Sequence, residues 1–303
     1  MRRVLDPVSL RLFVAVCEEG NIAMAGDREA IVPSAISKRV AALEDSVGIQ
    51  LLVRSRHGIK PTPAGEALLR QAREILSMME QTFDELAEYR EGIHGSVRVL
   101  ASLSVIAEGL PDDLARFLGL FRDVRVSLEE KISAEIVRGV REGRADMGIC
   151  WNAGDLDGLD CRPYRSDRLA VVAYPGHPLA ELDEVKFVDA LDHELINVQP
   201  GSIMQQMLGR YAAVAGKSLN LRIQVANFES AIRLIKARLG VAILPLDIAS
   251  PLANPQGLRV IPLSDPWATR QFVLVTRSEG AISTTTQLLI SFLGERSREA
   301  VES

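Results

Sequence analysis

Cysteine is scarce in this chain: Cys17, Cys150 and Cys161 stand alone among 303 residues. An odd count without framework spacing excludes a secreted disulfide scaffold. No run of about 18 apolar residues occurs, so no membrane span is expected. The opening segment MRRVLDPVSL has no apolar core leading to a cleavage site, and no export signal is expected there. G-x-G-x-x-G, P-loop and G-x-S-x-G patterns are all missing, which removes the usual phosphate-cradling and nucleophile signatures. The four histidines, His57, His94, His177 and His193, show no metal-ligand spacing and read as residues of solvated loops. Together these shortages predict a reduced, cytoplasmic protein that is not an enzyme and needs no metal or cofactor.

What is present is the balance of a soluble globular protein: 47% hydrophobic and 25% charged residues, with a net charge of −5. A chain of this length buries a large core without cross-links. The overall charge does not suggest nucleic acid, but its distribution does. Between Pro33 and Thr62 the cations Lys38, Arg39, Arg54, Arg56 and Lys60 face only Glu44 and Asp45. A locally basic end on an acidic chain still meets phosphate, because screening makes the nearest charges dominate.

Three regions follow one another. Residues 5 to 62 read as short helices and a small hairpin. In DPVSLRLFVAVCEEG, Asp6 is placed to cap a helix with Pro7 in its first turn, Leu12, Phe13 and Val16 form an apolar stripe, and Gly20 stops it. Asn21 is placed to cap a second helix, IAMAGDREA. The segment GIQLLVRSRHGIKPTPAG suits a β-hairpin with a basic tip. Residues 64 to 91 read as one long helix after Thr62. Its residues Leu68, Ala72, Ile75, Met79, Thr82, Leu86 and Tyr89 repeat at four-three spacing, which predicts a seam for another helix. Residues 95 to 303 alternate strand-like and helical segments, which indicates an α/β domain with mostly parallel strands in two subdomains.

The stretch PSAISKRVAAL, residues 33 to 43, carries the functional argument. At about 100° per residue, Ile36, Val40 and Leu43 share one side of a helix, and Ser34, Ser37, Lys38 and Ala41 fall opposite. Short side chains near the N-terminus let a helix approach base edges, and hydroxyl and cationic groups bond bases and phosphates. A preceding short helix and a tight turn make a helix-turn-helix, and the basic hairpin beyond it makes a wing. An ordinary amphipathic surface helix has the same pattern.

The motifs LFVAVCEEGN, SAISKRVAALEDSVGIQLL, Arg54, Thr62 and AGEALL span most of residues 10 to 76, and there the chain resembles the LysR-type transcriptional regulators. The resemblance implies an N-terminal all-α winged helix-turn-helix over residues 1–62 and a linker helix over 63–92 that pairs subunits. It implies an α/β effector domain over 93–303 similar to type 2 periplasmic binding proteins. Its subdomains are expected at 93–165 with 267–303 and at 166–266. It also implies binding of double-stranded DNA at an inverted repeat, a small-molecule effector, a homodimer or homotetramer, and RNA polymerase as a further partner. DNA contact is expected from Pro33, Ser34, Ser37, Lys38 and Arg39, and from Arg54, Arg56 and Thr62. Departures from the family pattern are Val32 for a usual capping serine, Pro33 for a common glutamine, Gly26 for a usual alanine and Glu29 for a usual apolar residue.

Ligands of α/β domains sit at the carboxyl ends of strands, between subdomains. Those ends place Ser102, Ser104, Glu130, Trp151, Gly201, Ser202 and Asn227 in the expected effector cleft. Ordinary helix capping explains the same residues. No arginine directly follows these strand ends, and an inward Glu130 would favour a neutral or cationic ligand. Cys150 and Cys161 suggest redox sensing only weakly, because a thiol in an apolar strand is usually an inert core residue. Two other classes share parts of the pattern. A free solute-binding protein has no use for residues 5 to 62, and an enzyme needs a base that the cleft serines lack.

Overall fold

A computed structural model describes residues 5–55, 58–91, 94–278 and 282–302. The chain divides into two compact units, Met1–Gly95 with Glu142–Arg144, and Ser96–Arg141 with Ala145–Ser303. No helix among the described residues is long and apolar enough to cross a membrane.

The first unit runs α1 (Pro7–Glu19), α2 (Ile22–Glu29), α3 (Pro33–Val47), β1 (Leu52–Ser55), β2 (Gly58–Pro61) and α4 (Pro63–Glu91). Local chemistry sets each boundary. The Asp6 carboxylate accepts from the Ser9 backbone N–H at 2.9 Å and opens α1, and Gly20 closes it at φ 63°. Asn21 Oδ1 accepts from the Ala23 N–H at 2.7 Å and opens α2. Ile36, Val40 and Leu43 of α3 pack with Leu12, Phe13, Val16, Ala25 and Leu51 into one core. Burying each large member contributes roughly 1.5–3 kcal/mol. Glu44 Oε1 accepts from the Leu51 and Leu52 N–H groups at 2.7 and 3.0 Å, which ties the end of α3 to the start of the hairpin. β1 and β2 pair antiparallel, with Arg54 opposite Ile59.

The start of α4 is fastened to that hairpin. Thr62 donates its N–H to the Leu51 carbonyl at 2.9 Å and its hydroxyl to the Gln50 carbonyl at 2.8 Å, while accepting from the Gly65 N–H at 3.0 Å. Gly65 must lack a side chain, since a Cβ there would lie 2.0 Å from the Leu51 carbonyl oxygen. The expected seam along α4 is used differently along its length. Ala72 is buried against Leu10 and Val14 of α1, with Leu68 and Ile75 packed beside it. The first half of the seam is therefore covered within the protomer. Met79 and Thr82 are exposed, as are Met78 and Phe83; the side chains of Leu86 and Tyr89 lie outside the described residues.

The second unit runs β3 (Gly95–Ala101), α5 (Leu103–Glu108), α6 (Leu110–Leu120), β4 (Val124–Glu130), α7 (Ser133–Arg141), β5 (Met147–Trp151), β6 (Leu159–Ala173), α8 (Phe187–Ala190), β7 (Leu195–Val198), α9 (Ile203–Val214), β8 (Leu221–Val225), α10 (Phe228–Lys236), β9 (Ala242–Pro245), α11 (Leu246–Ala253), β10 (Arg259–Pro262), β11 (Thr269–Arg277) and α12 (Thr284–Glu302). A seven-stranded sheet follows the order β10-β6-β11-β5-β3-β4, with β9 also pairing β6; β7 and β8 form a separate parallel pair. The expectation of mostly parallel strands is corrected. β3 and β5 pair in parallel, but β11 runs antiparallel to β5 and β6, and β6 runs antiparallel to β9 and β10. The cause is the 15-residue strand β6, whose first half pairs with the end of β11 and whose last residues carry β9 and β10. A register shift between Gln271 and Val273 lets β11 follow it. One core gathers Val99, Phe117, Ile149, Tyr164, Phe272 and Leu289, and another Leu169, Phe187, Leu195 and Ile243.

His177 is not in a solvated loop. It is buried, its Nδ1 accepts from the Leu179 N–H at 3.2 Å, and its ring meets His193 edge-on at 4.5 Å. Burial, then the neighbouring His193, holds its pKa below the ordinary imidazole value.

Gly65→Ala should destabilise the first unit by about 1–3 kcal/mol, the usual cost of forcing atoms into a filled site. Denaturant unfolding followed separately on the two units checks this, and an unshifted first transition contradicts the close approach.

Candidate nucleic-acid interface and effector pocket

Helix α3 presents two chemically distinct faces. Ile36, Val40 and Leu43 are buried, while Pro33, Ser34, Lys38 and Arg39 are exposed and Ser37 is half-buried. Arg39 is not a free cation: its Nη1 donates to Asp6 Oδ2 at 3.0 Å, joining α3 to the cap of α1. Hydrogen bonds from Ser9 hold that Asp6 carboxyl below its ordinary pKa. Arg56 lies outside the described residues, as does the side chain of Arg54. Thr62 is engaged in fastening α4, as described above, so its geometry is accounted for by the fold.

The departures in α2 and its turn compensate one another. A Cβ on Gly26 would come within 2.7 Å of the Ile31 carbonyl oxygen, and the Pro33 ring lies 3.5 Å from the same point. Gly26 and Pro33 are thus two halves of one close approach. Glu29 is largely covered and stands 3.7 Å from both Arg11 and Arg28. Val32 stands at the N-cap of α3 and no side chain caps the helix. Relative to serine, that omission costs about 1 kcal/mol.

In the second unit four of the expected effector residues converge. Ser102, Ser104, Trp151 and Ser202 line one pocket of about 480 Å³, solvent-open space included, together with Ser133, Gln199, Met204, Phe228 and Arg270. Ser102 stands at the N-cap of α5, yet its Oγ is buried and meets no hydrogen-bond partner among the described residues. Ser202 caps α9, accepting from the Gln205 N–H at 3.3 Å. The remaining three expected residues stand aside. Glu130 is exposed and accepts from Gln199 Nε2 at 3.0 Å. Gly201 is exposed at φ 81° and its N–H donates to Gln205 Oε1. Asn227 caps α10 by accepting from the Ser230 N–H at 2.9 Å, and the adjacent Phe228 reaches the pocket instead.

The residue that sequence reasoning missed is Arg270. Only 3% of its side chain is exposed. Its Nε donates to Asp167 Oδ1 at 2.7 Å and its Nη2 to Asp167 Oδ2. Nη2 also reaches Ser104 Oγ at 3.3 Å, and Nη1 meets the Met204 sulfur at 3.5 Å. The guanidinium lies 5.5 Å from the centre of the Trp151 ring and 5.1 Å from that of Phe272. A third ionisable group completes the cluster. Burial, and then its hydrogen bond with Asp167, pushes the Glu108 carboxyl up to about 9. At neutral pH the Glu108 carboxyl is therefore held in its neutral form beside the Arg270–Asp167 salt bridge. Asp167 lies in the middle of β6 directly across from Arg270, a pairing of opposite charges visible only once the strands are known to be antiparallel.

The cysteines are unpaired. Burial pushes the Cys150 thiol up to about 12, and burial with Asp160 raises that of the exposed Cys161, so neither forms thiolate readily near neutral pH.

Comparison with known proteins places these sites in context. Residues 8–66 match the family model of the bacterial regulatory helix-turn-helix protein, lysR family, and residues 90–298 match that of the LysR substrate binding domain. The HTH-type transcriptional regulator YfeR of Shigella flexneri is 26% identical over 280 residues, covering 92% of this chain and 90% of its own. A full-length, cysteine-substituted variant of OxyR from Pseudomonas aeruginosa superposes with a TM-score of 0.74 at 19% identity, over 97% of this chain and 95% of that one. The effector binding domain of QuiR in complex with shikimate superposes with a TM-score of 0.61 at 19% identity, over 68% of this chain and 98% of that one.

Glu108 generates a pH prediction with a definite sign. From about pH 4.5 to about 9 the folded chain holds a proton that the unfolded chain has released, so stability falls as pH rises through that window. Glu108→Gln removes the titration and retains an N–H donor for Asp167. Its melting temperature should exceed that of the parent by a margin that grows from about pH 5 to about pH 8; a margin independent of pH contradicts the shared proton.

Proposed function

We propose that this chain, which belongs to the LysR family of transcriptional regulators, reads duplex DNA with α3 and responds to a small molecule held by Ser102, Ser104, Trp151, Ser202 and Arg270. The observation that carries the DNA reading is the division of α3. Its apolar side anchors the helix in the core, and Ser34 and Lys38 stand exposed on the other side, with Ser37 at the margin. A helix so held enters a major groove without exposing its own core. Pro33, Arg39, Arg54, Arg56 and Thr62 flank it as candidate contacts, with residues 1–62 as the reading head and 63–92 as the linker.

The effector domain in this reading is 93–303, with subdomains at 93–165 plus 267–303 and at 166–266. The pocket supports a compact ligand carrying a hydrogen-bond acceptor or an anionic group. Ser102 Oγ is buried with no partner among the described residues, and Arg270 Nη1 spends a donor on a thioether, a poor acceptor. Glu130 is turned to Gln199 and imposes no preference for a cation. Exposed Met79 and Phe83 on the far half of α4 support pairing of that helix between copies. A two-fold homodimer, or a homotetramer built from it, then reads an inverted repeat, with RNA polymerase as a downstream contact.

On DNA from upstream of its own gene, Lys38→Ala should weaken binding and reduce the slope of log affinity against log salt by about one. A mobility-shift titration at several salt concentrations reads this out, and an unchanged slope removes Lys38 from the phosphate contacts. For the pocket, a thermal-shift screen of small organic acids and neutral hydroxy compounds should find ligands that raise the parent melting temperature and leave Ser102→Ala nearly unmoved. Equal responses from both proteins would place the effector elsewhere.

A further inference from the structure

The pocket of the effector unit is rich in hydrogen-bond donors and poor in uncompensated charge. Among the described residues that line it, Arg270 alone is ionisable. Its charge is already answered. Asp167, with none of its side chain exposed, takes the Nε and Nη2 donors in a two-bond pairing and does not itself line the pocket. Lys131, beside the lining residue Ile132, is paired with Glu129 at 2.6 Å, and Glu130 at Gln199 brings a negative charge rather than a positive one. Donors remain in surplus. Ser102 Oγ is buried with no partner among the described residues, and Arg270 Nη1 meets the Met204 sulfur, a weak acceptor. Trp151, Phe228 and Phe272 supply aromatic walls.

We propose that this pocket takes an uncharged ligand bearing a carbonyl or hydroxyl oxygen, and that Asp167 sets this preference by holding the counter-charge to Arg270. The inference rests on the effector-binding function above and adds to it the charge class of the ligand. A neutral oxygen accepts from the spare donors and leaves the pocket without net charge. A carboxylate accepts from the same donors but brings a second anion to a guanidinium that already has one. Its charge would be buried with no cation of its own, and removing water from an unpaired ion costs more than one hydrogen bond returns. Glu108 is neutral and offers no positive charge to offset it. A carboxylic acid could enter with its proton, but that form is rare at neutral pH. A cation would face the guanidinium and find its carboxylate taken.

The test uses the full-length protein and titration calorimetry near neutral pH. Its probes are matched pairs that differ in charge and little else: benzamide with benzoate, nicotinamide with nicotinate, and salicylamide with salicylate. Every compound that the thermal-shift screen returns joins them with its charged or uncharged partner. In each pair that binds, the parent should hold the uncharged member at least about ten-fold more tightly than the carboxylate. Asp167→Asn combined with Glu108→Gln leaves Arg270 without a counter-ion. Both are changed because Glu108 would otherwise release its proton and replace Asp167. This double variant should reverse the preference by about the same factor, and carboxylates should raise its melting temperature more than amides do. A parent that binds carboxylates as tightly as their uncharged partners overturns the inference and leaves the effector-binding function intact, whether or not the double variant folds. So does a folded double variant that still prefers the uncharged members. A parent that binds no compound of the pairs or the screen overturns that function and the inference together.

Discussion

The contact between Arg270 and Asp167 is the constraint around which the effector unit is arranged. A guanidinium with 3% of its side chain exposed must keep its counter-ion, because an unpaired buried charge costs about 3–5 kcal/mol. The pair joins β6 to β11, the two longest strands of the sheet. Several of the residues that line the pocket meet its guanidinium. Ser104 brings the first turn of α5 to Nη2, Met204 brings the first turn of α9 to Nη1, and Trp151 brings the end of β5 to the guanidinium face. Glu108 could not join this cluster as a second anion without another cation, and burial resolves the conflict by keeping its proton.

The parts of the molecule written in local sequence were legible, and the parts decided by long-range pairing were not. Asp6, Pro7, Gly20 and Asn21 mark the first helices by capping chemistry that acts over three or four residues, and the boundaries fall where those residues place them. The apolar side of α3 follows in the same way from 3.6-residue periodicity. Strand direction has no such local marker. Apolar runs such as RLAVVA and QFVLVT read alike whether their neighbours run parallel or antiparallel, and expecting parallel strands points to ligands only at carboxyl ends. Arg270 enters the pocket from the amino end of an antiparallel strand, where that expectation does not reach. Asn227 shows the converse: a cap that is locally obvious serves as a cap, and Phe228 next to it lines the pocket.

The reading head shows how departures from a family pattern are absorbed in pairs. A glycine inside α2 taken alone weakens the helix, and a proline in place of glutamine taken alone removes a hydrogen-bonding side chain. Together they allow the backbone of the turn and the Pro33 ring to settle against a residue without a side chain. Glu29 likewise sits in a half-buried position with Arg11 and Arg28 close to its carboxylate. The N-terminus of α3 has no side-chain cap among the described residues.

Helix α4 is clamped to the hairpin by Thr62 and to α1 by Leu68, Ala72 and Ile75, but Met79 and Phe83 further along are bare. Such a rod is indexed like a screw thread. Inserting a single residue after Ile75 would advance the bare portion by about 1.5 Å and swing it by about 100° about the helix axis, whereas adding seven would leave it out of phase by only about 20°. Lengthening by whole heptads thus keeps the bare residues on nearly the same side of the helix, and other increments turn them away from it.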